Sequence, residues 1–391
     1  MLHRWKTWRR AAAFVFALAA MAFAAPFDGG GTARAASFDT KARQAYLIDL
    51  STGAVLLEKE AHSPMPPASM SKLMTAYLIF ERLKDGSLTL QDELPISREA
   101  SRKGGSKMFL PEGGRAKLED LIKGIVIQSG NDACIVVAEG LAGSEEAFAD
   151  LMNKKAAELG LKGSHFANAT GWPDPNHYMT AADLALLARR LLEDFPEYFH
   201  YYSKRSFTYS GIVQNNRNPV LGVVEGADGF KTGYTEASGY GLTATAVRDG
   251  RRLLMVINGL ESTRERGAEA ERLLNWGFGA FGTYKLLRAG ETVESADLWL
   301  GQKDAAPLVV DRDLTVTLPR AAREELKVVV RYEGPTPAPV FKGEPLGAVV
   351  VTAPGVDPIE RPLFVGETVE RLGPVGRVIE TVSALVGGAW R

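Results

Sequence analysis

Residues 228–257 read DGFKTGYTEASGYGLTATAVRDGRRLLMVI. Three strands are predicted here, at 228–235, Gly241–Val247 and Leu253–Ile257. Arg248-Asp249-Gly250-Arg251 joins the last two, and Asp-Gly is a strong tight-turn signal. Far upstream, residues 40–60 predict a hairpin. Ala45-Tyr46-Leu47-Ile48 runs out, Ser51-Thr52-Gly53 turns, and Ala54-Val55-Leu56-Leu57 returns. Between these ends the period becomes helical. Residues 69–84 place Leu73, Ala76, Tyr77 and Phe80 on one stripe, and similar spacing recurs at 118–128, 132–141, 145–159 and 180–193. A further strand is predicted at 206–213 and a helix at about 262–280. Strands from both ends with helices between them imply an α+β domain: an antiparallel sheet closed by its termini, with a helical region beside it.

After residue 287 the texture changes. Leu308-Val309-Val310, Leu314-Thr315-Val316, Val328-Val329-Val330 and Val349-Val350-Val351 alternate with turns, and Pro335, Pro337 and Pro339 punctuate them. This predicts a small all-β domain over 287–362, behind a first domain over 36–286. Residues 363–391 return to a helical period. Val365, Leu372, Ile379 and Val386 recur every seven residues, with Val369, Val375 and Val382 beside them, and Pro374 is placed to open the final stretch. Such a stripe suits either a helix lying in a membrane interface or one packed on its own β domain.

The N-terminus carries His3, Arg4, Lys6, Arg9 and Arg10 ahead of an apolar run over residues 11–25. That run is too short for a comfortable membrane span but suits a secretory signal peptide, with an uncleaved N-terminal anchor as the alternative. Small-x-small sites stand at Ala22-Phe23-Ala24 and Ala33-Arg34-Ala35; the second assigns residues 1–35 to the signal. Lys and Arg number 46 and Asp and Glu 47, a formal net charge of -1, so there is no electrostatic case for a nucleic-acid partner. The single cysteine, Cys134, excludes an intrachain disulfide and is read as core packing. The five histidines show no metal spacing, so neither metal nor cofactor is expected.

Three short elements are candidates for one acyl-transfer centre. Ser69-Met70-Ser71-Lys72 opens the first long helix, so residues i and i+3 share a face and Lys72 Nζ can approach Ser69 Oγ. A serine hydroxyl needs a base to take its proton, and lysine serves only when burial or another cation lowers its pKa. Free backbone N–H groups at the helix start suit a developing oxyanion. Ser129-Gly130-Asn131 places a hydroxyl for proton relay and an amide for a substrate backbone on a loop tip. Lys231-Thr232-Gly233 adds a second cation on a strand. Gly233 admits a ligand backbone to the strand edge, and the Tyr234 N–H is a candidate second oxyanion donor. Taken singly, each motif reads equally as a helix cap, a turn or a strand. Their combination in this order is the one found in class A β-lactamases and penicillin-binding proteins.

The chain resembles the D-alanyl-D-alanine carboxypeptidases among the low-molecular-mass penicillin-binding proteins. The resemblance spans roughly 40–391. It is carried by the segments Pro67–Met74, Gly105–Leu110, Gln128–Ala133, Asn168–Gly171 and Asp228–Thr235. It implies a β-lactamase/transpeptidase-like catalytic domain, a small β domain, and a C-terminal amphipathic helix on the membrane surface at the periplasmic or extracytoplasmic side. It implies peptidoglycan stem peptides as substrates and β-lactam antibiotics as covalent inhibitors. Ser69 corresponds to the acylated serine and Lys72 to its base, with Ser129 and Asn131 in the cleft and Lys231 and Thr232 on the substrate terminus. Arg266 falls where the family holds the terminal carboxylate, although Arg264 is two residues away.

Two rival activities share these motifs. A serine β-lactamase of class A needs a glutamate for the deacylating water. None stands in His165–Trp172, and the match from Glu271 to Asn275 is read as chance. A DD-endopeptidase cutting crosslinks has the same motifs and stays open at the level of sequence.

Overall fold

The computed structural model describes residues 38–387; the signal peptide assigned to 1–35 lies outside them. In chain order the elements are β1 (Gln44–Asp49), β2 (Ala54–Lys59), α1 (Lys72–Lys84), β3 (Glu93–Pro95), α2 (Arg98–Arg102), β4 (Arg115–Lys117) and α3 (Leu118–Lys123). Then come α4 (Asn131–Ala142), α5 (Glu145–Leu159), α6 (Ala181–Asp194), α7 (His200–Ser203), β5 (Ser206–Tyr209), β6 (Ile212–Asn215), β7 (Ala227–Thr235), β8 (Gly239–Arg248), β9 (Arg251–Leu260) and α8 (Thr263–Ala280). The second domain holds β10 (Phe281–Leu287), β11 (Thr292–Trp299), β12 (Ala305–Val309), β13 (Leu314–Pro319), β14 (Lys327–Arg331), β15 (Thr336–Pro337), β16 (Pro345–Ala353) and β17 (Val356–Val365), and α9 (Pro374–Gly387) follows.

The first domain has the expected closed-by-its-ends sheet. Its five strands run β2-β1-β9-β8-β7, antiparallel at every pairing. Both faces are covered. Leu253, Met255 and Ile257 of β9 pack with Leu273 and Leu274 of α8, while Leu254 and Val256 face the helical lobe with Phe80 and Leu187. A strand buried on both sides has no polar face, which is why 253–257 reads as an unbroken apolar run. The core of the helical lobe is α4, whose residues from Asn131 to Ala138 are all buried. Edge strand β7 stands beside the turn carrying Ser69.

The structure revises four sequence expectations. The strand expected at 206–213 is two strands, β5 and β6, because Ser210 and Gly211 take positive φ (47° and 77°) and turn the chain back. The helix expected over 118–128 narrows to α3, then widens into a π-type turn over Gly124–Gln128 that ends at Ser129. The domain boundary moves from 287 to 281, because β10 pairs along its length with β13 of the second domain. The boundary at 362 also moves. β17 continues to Val365, Leu363 and Val365 are buried in the β domain, and Val369 bridges to Val340. Val365 and Val369 therefore belong to the β core and not to a helical stripe.

Candidate active site

Ser69 lies in a single 3-10 turn, Ala68–Ser71, immediately ahead of α1. Ala68 holds φ +49°, and the Ser71 hydroxyl donates to its carbonyl at 3.0 Å. Gly171 and Gly233 close on this turn from two sides. A Cβ on Gly171 would lie 2.0 Å from the Ala68 carbonyl oxygen, and one on Gly233 would lie 2.8 Å from the Pro67 oxygen. Both glycines are required by close approach of backbones.

Lys72 is buried, and its Nζ lies 2.8 Å from Ser69 Oγ, 2.8 Å from Asn131 Oδ1 and 2.6 Å from the Thr170 carbonyl oxygen. Burial lowers its pKa to about 8, and the Arg217 charge adds to the effect. Nζ donates to both carbonyl oxygens, which can only accept, and to Ser69 Oγ. Once one proton is lost, the two carbonyls hold the remaining N–H groups and the lone pair can face the Ser69 hydroxyl. The Asn131 side chain is oriented by both its ends, since Nδ2 donates to the Gly104 carbonyl at 2.8 Å. Expected from the sequence to hold a substrate backbone, Asn131 is seen here accepting from Lys72 Nζ.

Ser129 has φ +68° and is 2% exposed; among the described residues its hydroxyl has no hydrogen-bond partner. Lys231 is buried, and its Nζ donates to the Thr232 carbonyl at 3.0 Å. Its pKa is pushed well down, first by burial and then by the charges of Lys72 and Arg217. Neither lysine forms an ion pair with a carboxylate among the described residues. The nearby Asp132 carboxylate is spent on backbone, accepting from the N–H groups of Met108 and Leu110.

Ser69, Ser129, Asn131, Thr232, Gly233, Tyr234 and Arg266 line one cleft of about 1200 Å³. Of the two arginines Arg266 lines it, whereas Arg264 is exposed and does not. Arg266 is buried, its Nε has no partner among the described residues, and burial lowers its pKa to about 10. Its guanidinium stands 5.7 Å from the centre of the Tyr240 ring, which is stacked on Tyr234 at 4.2 Å. Glu271 and Asn275 lie on α8, where Asn275 Oδ1 accepts from Arg248; neither reaches the cleft.

Sequence reasoning missed three contributors. Arg217 lines the cleft, and its Nη1 donates to Ser106 Oγ at 2.6 Å. No motif surrounds it. Thr170 contributes through its carbonyl, which no side-chain pattern reports. Asn168 shapes that loop: its Oδ1 accepts from the N–H groups of Thr170, Gly171 and Trp172 at 3.1, 2.8 and 3.0 Å. The Asn168-Ala169-Thr170-Gly171 segment was visible as a resemblance, but not what it holds.

The family described as D-alanyl-D-alanine carboxypeptidase matches residues 31–262, and the C-terminal domain of penicillin-binding protein 5 matches 281–371. The D-alanyl-D-alanine carboxypeptidase DacC of Escherichia coli is 38% identical over 378 residues, covering 95% of this chain and 93% of the relative. Among solved structures, penicillin-binding protein 5 from Haemophilus influenzae superposes with a TM-score of 0.76 at 33% identity, over 86% of this chain and 100% of that one. Penicillin-binding protein D2 from Listeria monocytogenes, in its ampicillin-bound form, superposes with a TM-score of 0.57 at 29% identity, over 62% of this chain and 99% of that one. The chain belongs to the D-alanyl-D-alanine carboxypeptidase family.

Proposed function

We propose that this protein removes the terminal D-alanine from peptidoglycan pentapeptide stems through an ester on Ser69. It is a serine-type D-Ala-D-Ala carboxypeptidase and a penicillin-binding protein. The observation that carries the site assignment is Lys72 Nζ, buried without a carboxylate partner and 2.8 Å from Ser69 Oγ. Lys72 takes the Ser69 proton as Oγ attacks the carbonyl of the penultimate D-alanine. The N–H groups of Ser69 and Tyr234 take the negative charge on that oxygen. Collapse breaks the C–N bond, and the proton on Lys72 is relayed through the Ser129 hydroxyl to the departing amine, which leaves Lys72 neutral again. Water then attacks the ester, Lys72 takes its proton, and Ser69 is restored. Lys231, Thr232, Arg217 and Arg266 hold the free carboxylate, which guanidinium groups match with paired donors. A cationic end of this kind favours a chain terminus over an internal crosslink.

A β-lactam enters the same cleft and acylates the same serine. The exposed Val375, Val378, Ile379 and Val382 of α9 support a helix lying in the membrane interface at the extracytoplasmic face. No helix among the described residues is long and apolar enough to cross a membrane. The test is product analysis on a pentapeptide ending in D-Ala-D-Ala, with intact mass after penicillin treatment. One D-alanine per peptide and one penicilloyl adduct are expected, both lost in Ser69→Ala. An adduct that persists in that variant removes Ser69 from the role.

A further inference from the structure

The charges along the cleft are unevenly placed. Arg217 and Arg266 are its cationic lining residues, and Glu236 is its one acidic lining residue. Arg217 and Arg266 both bear on Lys231, at the start of the Lys231-Thr232-Gly233 motif. Glu236 lies beyond the other end of β7, in the turn to β8. It is exposed and, among the described residues, forms no salt bridge or hydrogen bond. Its charge bears on the Tyr234 phenol, after that of the stacked Tyr240.

Resting on the carboxypeptidase reading, we infer that Glu236 selects stem peptides whose residue before D-Ala-D-Ala ends in a free ammonium, as a diamino acid does. β7 is the last strand of its sheet, so its outer edge is free to pair with an extended peptide. An antiparallel peptide puts its carboxyl terminus at Lys231 and Thr232 and its upstream residues past Tyr234. Ser69 fixes the register, because Gly233 abuts the turn that carries it. At about 3.4 Å per residue, the side chain one position upstream of the scissile residue lies level with the stretch from Tyr234 to Glu236. The four-carbon stem of a lysine-type side chain is flexible enough to bring its ammonium to that carboxylate. Tyr234 and Trp172, both half-exposed at this part of the cleft, offer apolar surface to the stem.

The test uses the full chain and three peptides that share the sequence acetyl-Lys-D-Ala-D-Ala, with the lysine amine free, acetylated or succinylated. Release of D-alanine gives kcat/KM for each. The wild-type protein should prefer the free amine to the acetylated one by roughly threefold to fivefold, the size an exposed ion pair supports. The succinylated peptide should be slowest, and added salt should compress the series. In Glu236→Gln the preference for ammonium over acetamide should vanish, and in Glu236→Lys it should reverse. Penicillin acylation of each variant reports separately on assembly of the nucleophile. Equal rates on all three peptides with the wild-type protein would overturn the role of Glu236. So would a preference that survives Glu236→Gln. No release from any peptide is a different result, which overturns the carboxypeptidase reading itself.

Discussion

A lysine can serve as a base here because of what surrounds its nitrogen. Lys72 Nζ meets two obligate acceptors, Asn131 Oδ1 and the Thr170 carbonyl, and one hydroxyl. Burial is the largest influence on its pKa and brings it to about 8. In the proposed mechanism the base is the neutral amine, so acylation should rise with pH and level off above about 8, as Lys72 loses its proton. An unperturbed lysine would still be rising near its ordinary value of 10.5. Stopped-flow acylation by a β-lactam between pH 6 and 10 gives the limb directly, and a flat profile would exclude Lys72 as the titrating base. Lys72→Ala should slow acylation by ~10²–10⁴-fold. Arg217 is one of the charges that lowers the Lys72 pKa, so Arg217→Ala should move the rising limb to higher pH. Arg266→Ala should instead weaken a free-acid peptide more than its amide, with the limb unmoved. If both variants show only the carboxylate effect, Arg217 acts on substrate alone.

At the scale of elements, the site is a meeting of four segments whose backbones nearly touch: the Ala68–Ser71 turn, the π-type turn ending at Ser129, the loop from Asn168 to Trp172, and the edge of β7. α1 organises the third through two residues on one face, Lys72 to the Thr170 carbonyl and Thr75 Oγ1 to the Ala169 carbonyl at 2.7 Å. Gly171 is the tightest point, with φ +77° and no room for a Cβ beside Ala68. Gly171→Ala should displace the Ser69 turn and cut penicillin acylation at least tenfold. Gly143 is the control, since its φ is +85° but nothing stands within 4 Å of an added Cβ. Gly143→Ala should cost only the left-handed strain of about 1–2 kcal/mol, read as a lower Tm with acylation retained. Equal acylation in both variants would show that the close contact does not position Ser69. These contacts also mark what was legible beforehand. Ser69 and Lys72 are three residues apart, and a 3-10 turn aligns i with i+3 as well as an α-helix does, so that pairing survived the wrong local geometry. Arg217 and Ser106 meet across a sequence separation of 111 residues, and nothing local announces it. The left-handed backbone at Ser129 was equally hidden, because it follows from the widened turn before it.

Across the whole molecule, the two domains are joined by a buried polar cluster as well as by chain. Asp49 of β1 is fully buried and accepts from Arg251 Nε at 2.6 Å, from Thr317 Oγ1 at 2.9 Å and from Thr283 Oγ1 at 3.2 Å. The two threonines belong to β13 and β10, so one carboxylate of the catalytic sheet anchors that strand pair of the β domain. That domain ends later than its sequence suggests, and the reason is a coincidence of periods. Val365 and Val369 are four residues apart, a spacing that fits one helical turn and also keeps an extended chain on one face. The sequence pattern alone does not separate the two, whereas the bridge from Val369 to Val340 does. This decides where the proposed membrane-surface role of α9 can be tested. Truncation after Pro362 would remove Leu363, Val365 and Val369 from the β core and would lower stability whatever α9 does. Truncation after Gly373 removes only the helix that begins at Pro374. In α9, Val375, Val378, Ile379 and Val382 follow i, i+3, i+4 and i+7 spacing and are each more than half exposed, so the β domain does not cover this stripe. Loss of α9 should therefore release the protein from membrane pellets into the soluble fraction. Tm and kcat/KM on a soluble pentapeptide should stay as they are in the longer chain. A lower Tm with unchanged membrane partition would make α9 a packing element of the β domain and overturn the interfacial role.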